Sequence, residues 1–385
     1  KKLSPAHDIV HAMGGVMGSY NGWERANWFA KDGDDISEGA THTWNREGPW
    51  TVRIKEEAEN VRDNCGVLDL PGFSRFNLSG RGAAEYLRGR ITGGLPKVGR
   101  MNLAYFSDQR GRIVTEMSLI RSSDDEFTLI TAASAQWHDF ELLKNSIPVG
   151  LTLTDHTTEI STLIVTGPTA RDVLTKMGTD ADLSTSWLTH QPATVAGQSV
   201  TLLRVSFAGE LGWEIHAINK NIPALYDAVI SAGAKPFGMY ALNSLRLEKG
   251  YRAWKGDLST DYSLFEGGLA RFVKLGKQQD FPGKTALQNE KQQGSSKVFV
   301  TLTLDATEMD APYMSTILYN GDVVGETTSG GFGYRVGKSI ALGILRTDLA
   351  VEGTEVEVEI FGQRCKAVVQ ADQPLWDPKN ERLRS

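Results

Sequence analysis

After about Gln293 the hydrophobic pattern of this chain changes period, and that change limits the available folds more than any other feature. Upstream, runs with helical spacing alternate with short strand-like runs. Downstream, the apolar runs are all short: Lys297–Leu304, Ser315–Tyr319, Val323–Thr328, Ser339–Leu345, Glu355–Ile360 and Cys365–Gln370, separated by Gly, Asn and Asp turns. With no helical pattern between them, these strands can hide their apolar faces only against one another. Residues 293–385 are therefore expected to form a separate all-β module of barrel or sandwich type. The polar, Gln-rich stretch 276–294 is the expected connection.

Residues 51–292 read as α+β. Helical spacing runs from Thr51 to Cys65, followed by strands over Gly66–Leu70 and Phe73–Leu78. Three short strands are expected between Asn102 and Thr131, a helix over Ala132–Asn145, and a hairpin from Thr201 to His216 around Gly209-Glu210-Leu211-Gly212. Further helices fall at Ile222–Gly233 and Ala241–Lys249. The spacing is not that of repeated βαβ units, so a doubly wound sheet is not expected. Residues 1–50 hold four of the nine tryptophans (Trp23, Trp28, Trp44, Trp50), and exposed tryptophans are unfavourable. They are expected to form an ordered arm laid across another domain.

Composition narrows function by exclusion. A formal charge of −6, with interspersed signs, does not suit a nucleic-acid partner. No run approaches the roughly 18 apolar residues of a membrane span. Cys65 and Cys365 stand far apart and make neither a disulfide framework nor a metal spacing. The histidines build no His/Cys cluster; His7 and His11, four apart in the arm, are expected to be solvated. No metal is expected, and a reducing compartment is: the cytoplasm, or the mitochondrial matrix in a eukaryote. No Gly-x-Gly-x-x-Gly loop occurs in these 385 residues, so no flavin is expected in them. The first residue is Lys1, consistent with removal of a leader or a preceding domain.

Five stretches in register resemble one family. They are Trp23-Glu24-Arg25-Ala26-Asn27-Trp28-Phe29, Val205-Ser206-Phe207-Ala208-Gly209-Glu210-Leu211-Gly212-Trp213-Glu214, Asn243 through Trp254, Phe281 through Leu287, and Thr328-Ser329-Gly330-Gly331. Together they resemble the aminomethyltransferase (glycine cleavage T-protein) fold, in the form joined to dimethylglycine and sarcosine dehydrogenases as their folate-binding half. The resemblance implies a three-domain cloverleaf around a central folate-binding hole, with a barrel-like C-terminal domain. It implies tetrahydrofolate as cofactor and one-carbon transfer from an N-methylated amine or its iminium, with a flavin oxidoreductase domain or subunit as partner. A free-standing folate-dependent demethylase or methyltransferase, acting on another methylated amine or a sulfonium compound, is the alternative. A non-catalytic folate-binding factor for iron–sulfur assembly shares the fold, but Lys249-Gly250-Tyr251 lacks the cysteine those proteins carry there.

The same resemblance assigns roles. Glu214 is expected to hold the pterin, since a carboxylate can accept its adjacent N–H groups in a charge-assisted pair. Glu210 is expected nearby. Arg246 either meets a folate-side carboxylate or makes a structural salt bridge. Tyr105, Phe207, Tyr240 and Trp254 are aromatic candidates for stacking on folate, with core packing as the other role open to each. T-proteins carry two aspartates after the turn that Gly111 occupies here; this chain reads Thr115-Glu116, which leaves Glu116 as the candidate catalytic carboxylate.

Overall fold

The computed structural model describes every residue except position 42. Among the described residues the chain forms two open sheets, a closed barrel and an N-terminal hairpin. In one sheet the strands lie in the order His190–Val195, Gln198–Leu203, Gly212–Ile218, Ile160–Thr166, Gly66–Asp69 and Lys235–Pro236. In the other they run Met101–Ser107, Ile113–Arg121, Glu126–Thr131, Ser74–Ser79 and Thr152–Asp155. Pairing is antiparallel except where Lys235–Pro236 joins Gly66 and Val67.

The expected all-β module closes as a six-stranded barrel. Its first strand, Lys297–Leu304, alternates strictly near its end, burying Val300, Leu302 and Leu304. Closure leaves no open edge to pair with another chain. The expected connection at 276–294 contains a helix, Lys284–Gln293, that the pattern does not announce. Only Leu287 of that helix is buried, so its apolar periodicity is faint.

The expected hairpin forms, with Thr201 opposite His216, but its turn is longer than the pattern suggests. Its strands end at Leu203 and resume at Gly212, and 204–211 is irregular. Buried side chains, not a ladder, hold that loop: Ser206 bonds Thr166 at 3.1 Å, and the Arg204 guanidinium lies 4.7 Å from the Trp213 ring centre. Gly209 sits there at φ +79°, where an added Cβ would fall 2.5 Å from the Lys249 side chain.

The N-terminal residues pack as a hairpin, Gly15–Tyr20 with Trp23–Phe29. Trp23, Trp28 and Trp50 are buried, and Trp28 joins the cluster of Ile54, Ala58, Phe237 and Ala241. Trp44 remains exposed, 5.4 Å from the Phe361 ring. His7, expected in solvent, bonds Glu24 at 2.9 Å because the hairpin brings that carboxylate back to the first helix. The arm is pinned by Glu57, whose two oxygens accept the Phe29 N–H at 2.7 Å and the Gly238 N–H at 2.8 Å. Gly238 admits this approach because a Cβ there would sit 2.2 Å from the Asn27 carbonyl oxygen. Among the described residues no helix is long and apolar enough to cross a membrane.

Candidate functional site

Strand Gly212–Ile218 lies third in its six-stranded sheet and has two chemical faces. Trp213, Ile215 and Ala217 enter the hydrophobic core, so Glu214 and His216 must share the opposite face. His216 Nε2 lies 2.8 Å from Glu214 Oε2. The His216 side chain is 5% exposed and that of Glu214 22%, so the carboxylate is the member of the pair that ligand can reach. Arg75, from strand Ser74–Ser79 of the other sheet, bonds the far side of the imidazole at Nδ1 and reaches Thr162 Oγ1 at 3.3 Å. This contact joins the two sheets. Burial, then the Arg75 charge, push the His216 pKa down to about 4. Burial likewise lowers Arg75 to about 10, against the opposing pull of Glu214.

The second carboxylate stands on the five-stranded sheet. Tyr105 and Glu116 face each other as cross-strand partners, and the phenol donates to Glu116 Oε2. Burial raises the Glu116 pKa above the ordinary carboxylate range, while the Tyr105 hydrogen bond and the Arg252 charge oppose it. Burial and then the Glu116 charge hold the phenol well above its usual value, so it stays a donor. The Tyr105 ring packs 4.8 Å from that of Phe272. Thr115, next on the strand, points to the other side of the sheet. There its hydroxyl donates to Asp139 at 2.8 Å, alongside Thr131 at 2.5 Å. Asp139 is fully buried, so a carboxylate does lie behind Glu116, supplied by a helix and fastened to Thr115.

The remaining candidates divide by environment. Glu210 is fully buried and occupied by protein donors: Arg335 and Trp376 on Oε1 and Arg382 on Oε2, each at 2.7 Å. Arg246 is buried and bonds Asp257 at 2.8 Å, Ser329 at 3.1 Å and Asn243 at 2.8 and 2.9 Å. Asp257 in turn accepts from Thr328 and Ser329, so the cluster ties the helix Met239–Glu248 to the barrel. Phe207 stacks on Tyr251, 5.7 Å between centres. Tyr240 meets Trp50 edge-on and lines a cavity of about 250 Å³ with Trp44, Asn243 and Phe332. Trp254 lies in the apolar cluster around Tyr105, and its buried indole N–H has no partner among the described residues.

The fold thus places Tyr105 against Glu116 and puts Trp254 in the same cluster, but engages Glu210 and Arg246 elsewhere. Arg75, His216 and Asp139 escaped the sequence reading. His216 was legible, since two residues beyond Glu214 on a strand means the same face. Arg75 and Asp139 left no signal, because each meets its partner across a long sequence separation.

Two polar groups suit a reduced folate in their chemistry. Glu214 Oε1 has no protein partner among the described residues, and the Trp254 N–H is an unused donor.

Comparison with known proteins adds to this geometry. The family described as GCVT N-terminal domain matches residues 6–277, and the Glycine cleavage T-protein C-terminal barrel domain matches residues 297–377. Mitochondrial dimethylglycine dehydrogenase of Homo sapiens is 36% identical over 95% of this chain and 43% of that protein. The chain therefore spans less than half the length of that relative. An aminomethyltransferase of Bacillus velezensis is 29% identical over 96% of each. The crystal structure of glycine cleavage system aminomethyltransferase T from Bartonella henselae superposes with a TM-score of 0.85 over 98% of both chains, at 24% identity, a likeness of fold.

Proposed function

Since this chain belongs to the glycine cleavage T-protein (aminomethyltransferase) family, whose members are folate-dependent transferases, we propose that it moves a one-carbon unit from an N-methylated amine to tetrahydrofolate. The donor we favour is a small amine such as dimethylglycine or sarcosine, oxidised to its iminium by a flavin oxidoreductase domain or subunit. The observation that carries this choice is the 36% identity with dimethylglycine dehydrogenase across nearly the whole chain.

Tetrahydrofolate, when bound, supplies the nucleophilic amines. The chain's residues do the rest. Glu214 accepts from the pterin edge through its unpartnered oxygen and fixes the ring's orientation. Glu116, beside Arg252 and Tyr105, provides negative charge where the incoming carbon is cationic, takes up the proton released as the folate amine adds to that carbon, and returns it to the donor amine as its C–N bond breaks. Its raised pKa suits it to receive that proton. Trp254 contributes its indole N–H and an apolar wall. In this reading Glu210 and Arg246 hold the walls of the site together, and Phe207 and Tyr240 are packing aromatics near it. Holding both reactants in place supplies much of the rate, because a bimolecular encounter becomes a reaction within one complex.

Calorimetry with tetrahydrofolate, followed by a transfer assay fed by a chemical iminium source, tests the proposal. We expect one folate per chain and folate-dependent consumption of the donor. Absence of folate binding would remove it. A sulfonium donor consumed in place of an amine would favour the free-standing methyltransferase.

A further inference from the structure

We propose that His216 is a positioning residue for Glu214: a neutral imidazole fixed as its Nε2–H tautomer by Arg75, holding one carboxylate oxygen so that the other is left for ligand. The proposal rests on the reading of Glu214 as the pterin acceptor.

The tautomer follows from what each partner can do. A guanidinium has donors and no acceptor, so the ring nitrogen facing Arg75 must accept. That nitrogen is Nδ1. A neutral imidazole carries one N–H, which is then on Nε2, and Nε2 faces Glu214 Oε2 at 2.8 Å. Each hydrogen bond thereby dictates the other. A proton added at Nδ1 would set two donors against each other and place two cations in a buried cluster. The charged groups against the ring are Arg75 and Glu214, and burial with the Arg75 charge already disfavours the imidazolium. Thr162 completes the seat, its hydroxyl 3.3 Å from Arg75 and 3.5 Å from Nδ1.

The consequence concerns Glu214. A glutamate on an open strand face samples several rotamers, and ordering it on binding would weaken the ligand. Here one oxygen is fixed before ligand arrives, and the positive charge of Arg75 is kept one ring away. Direct contact with Arg75 would occupy the carboxylate and compete with the pterin donors. The neutral ring passes on orientation without taking the second oxygen.

The test uses the intact chain with nitrogen-15-labelled histidine. We expect NMR to show His216 neutral and protonated on Nε2 at pH 6, before any folate is added. An Nδ1–H tautomer or an imidazolium at that pH overturns the proposal. In calorimetry, His216→Phe should lose about tenfold in tetrahydrofolate affinity, the scale of one hydrogen bond to a charged group. His216→Gln, whose amide can replace the Nε2–H donor, should recover most of that loss. Equal affinity of His216→Phe and wild type, with Glu214→Gln impaired, overturns the positioning role alone. Unimpaired Glu214→Gln instead removes the folate reading, and the NMR result still reports on the tautomer.

Discussion

Glu214 and Glu116 differ chiefly in what their neighbours leave free. Glu214 keeps one oxygen without a partner among the described residues, so its contribution belongs to binding. Glu214→Gln should weaken tetrahydrofolate by roughly 2–3 kcal/mol, since Gln retains the shape but loses the charge and one acceptor; calorimetry measures it directly. Glu116 acts on charge that appears only as the carbon is transferred. Its effect should therefore fall on turnover and hardly on folate affinity. We expect Glu116→Ala to lose about a hundredfold in folate-dependent transfer, on the usual scale of one acid–base group, with binding within a few-fold. Full activity would show that proximity alone carries the reaction. Because the Tyr105 phenol stabilises the Glu116 carboxylate, Tyr105→Phe should raise the Glu116 pKa further and move the acidic limb of the pH–rate profile upward. A limb that stays put or moves down would separate Glu116 from that titration.

At the scale of elements, buried charge fastens pieces that lie far apart in sequence. Arg335, just beyond the barrel strand Asp322–Gly333, bonds Glu248 of the helix Met239–Glu248 and Glu210 of the loop 204–211. Replacing it with Met leaves two buried carboxylates short of a partner, and should cost about 3–5 kcal/mol in denaturant unfolding. An effect below about 1 kcal/mol would mean that Trp376 and Arg382 suffice to hold Glu210. Glu57 pins the arm in a different way, with two backbone donors and, among the described residues, no cation. Burial pushes its pKa up to about 8 from 4.5. The folded state therefore holds this proton more tightly than the unfolded chain does. Stability from this group is full below pH 4.5 and is lost as pH rises through 8. Relative to Glu57→Gln, whose amide does not titrate, wild type should lose stability across that window; a flat difference between the two melting curves would refute it.

For the whole molecule, both ends of the chain are fastened to the body of the fold, the arm through Glu57 and the C-terminal residues through Trp376 and Arg382 on Glu210. Strand Trp23–Phe29 is mostly buried, whereas 32–40 is mostly exposed and short of regular structure. Limited proteolysis should cut within 32–40 well before 20–30. Early cleavage inside 20–30 would show that the hairpin opens readily. The purified chain should be colourless and should not oxidise dimethylglycine or sarcosine by itself, as no dinucleotide loop lies in its 385 residues. A flavin spectrum would contradict this.

Periodicity alone determined that a β module begins near Gln293, because strand alternation and turn residues are local properties. The resemblance of Gly209–Glu214 to the T-protein signature marked the strand that carries the pterin candidate. What local pattern could not determine is who meets whom. Glu210 and Glu214 are the same residue type, four positions apart. Only the tertiary structure decided that one is engaged by Arg335, Trp376 and Arg382 while the other keeps an oxygen with no partner among the described residues. Nor could Thr115 by itself reveal that it would bond the Asp139 carboxylate, 24 residues away. Hydrogen-bond partners are chosen by proximity after folding, and proximity between distant segments depends on how whole sheets pack, which no single segment encodes.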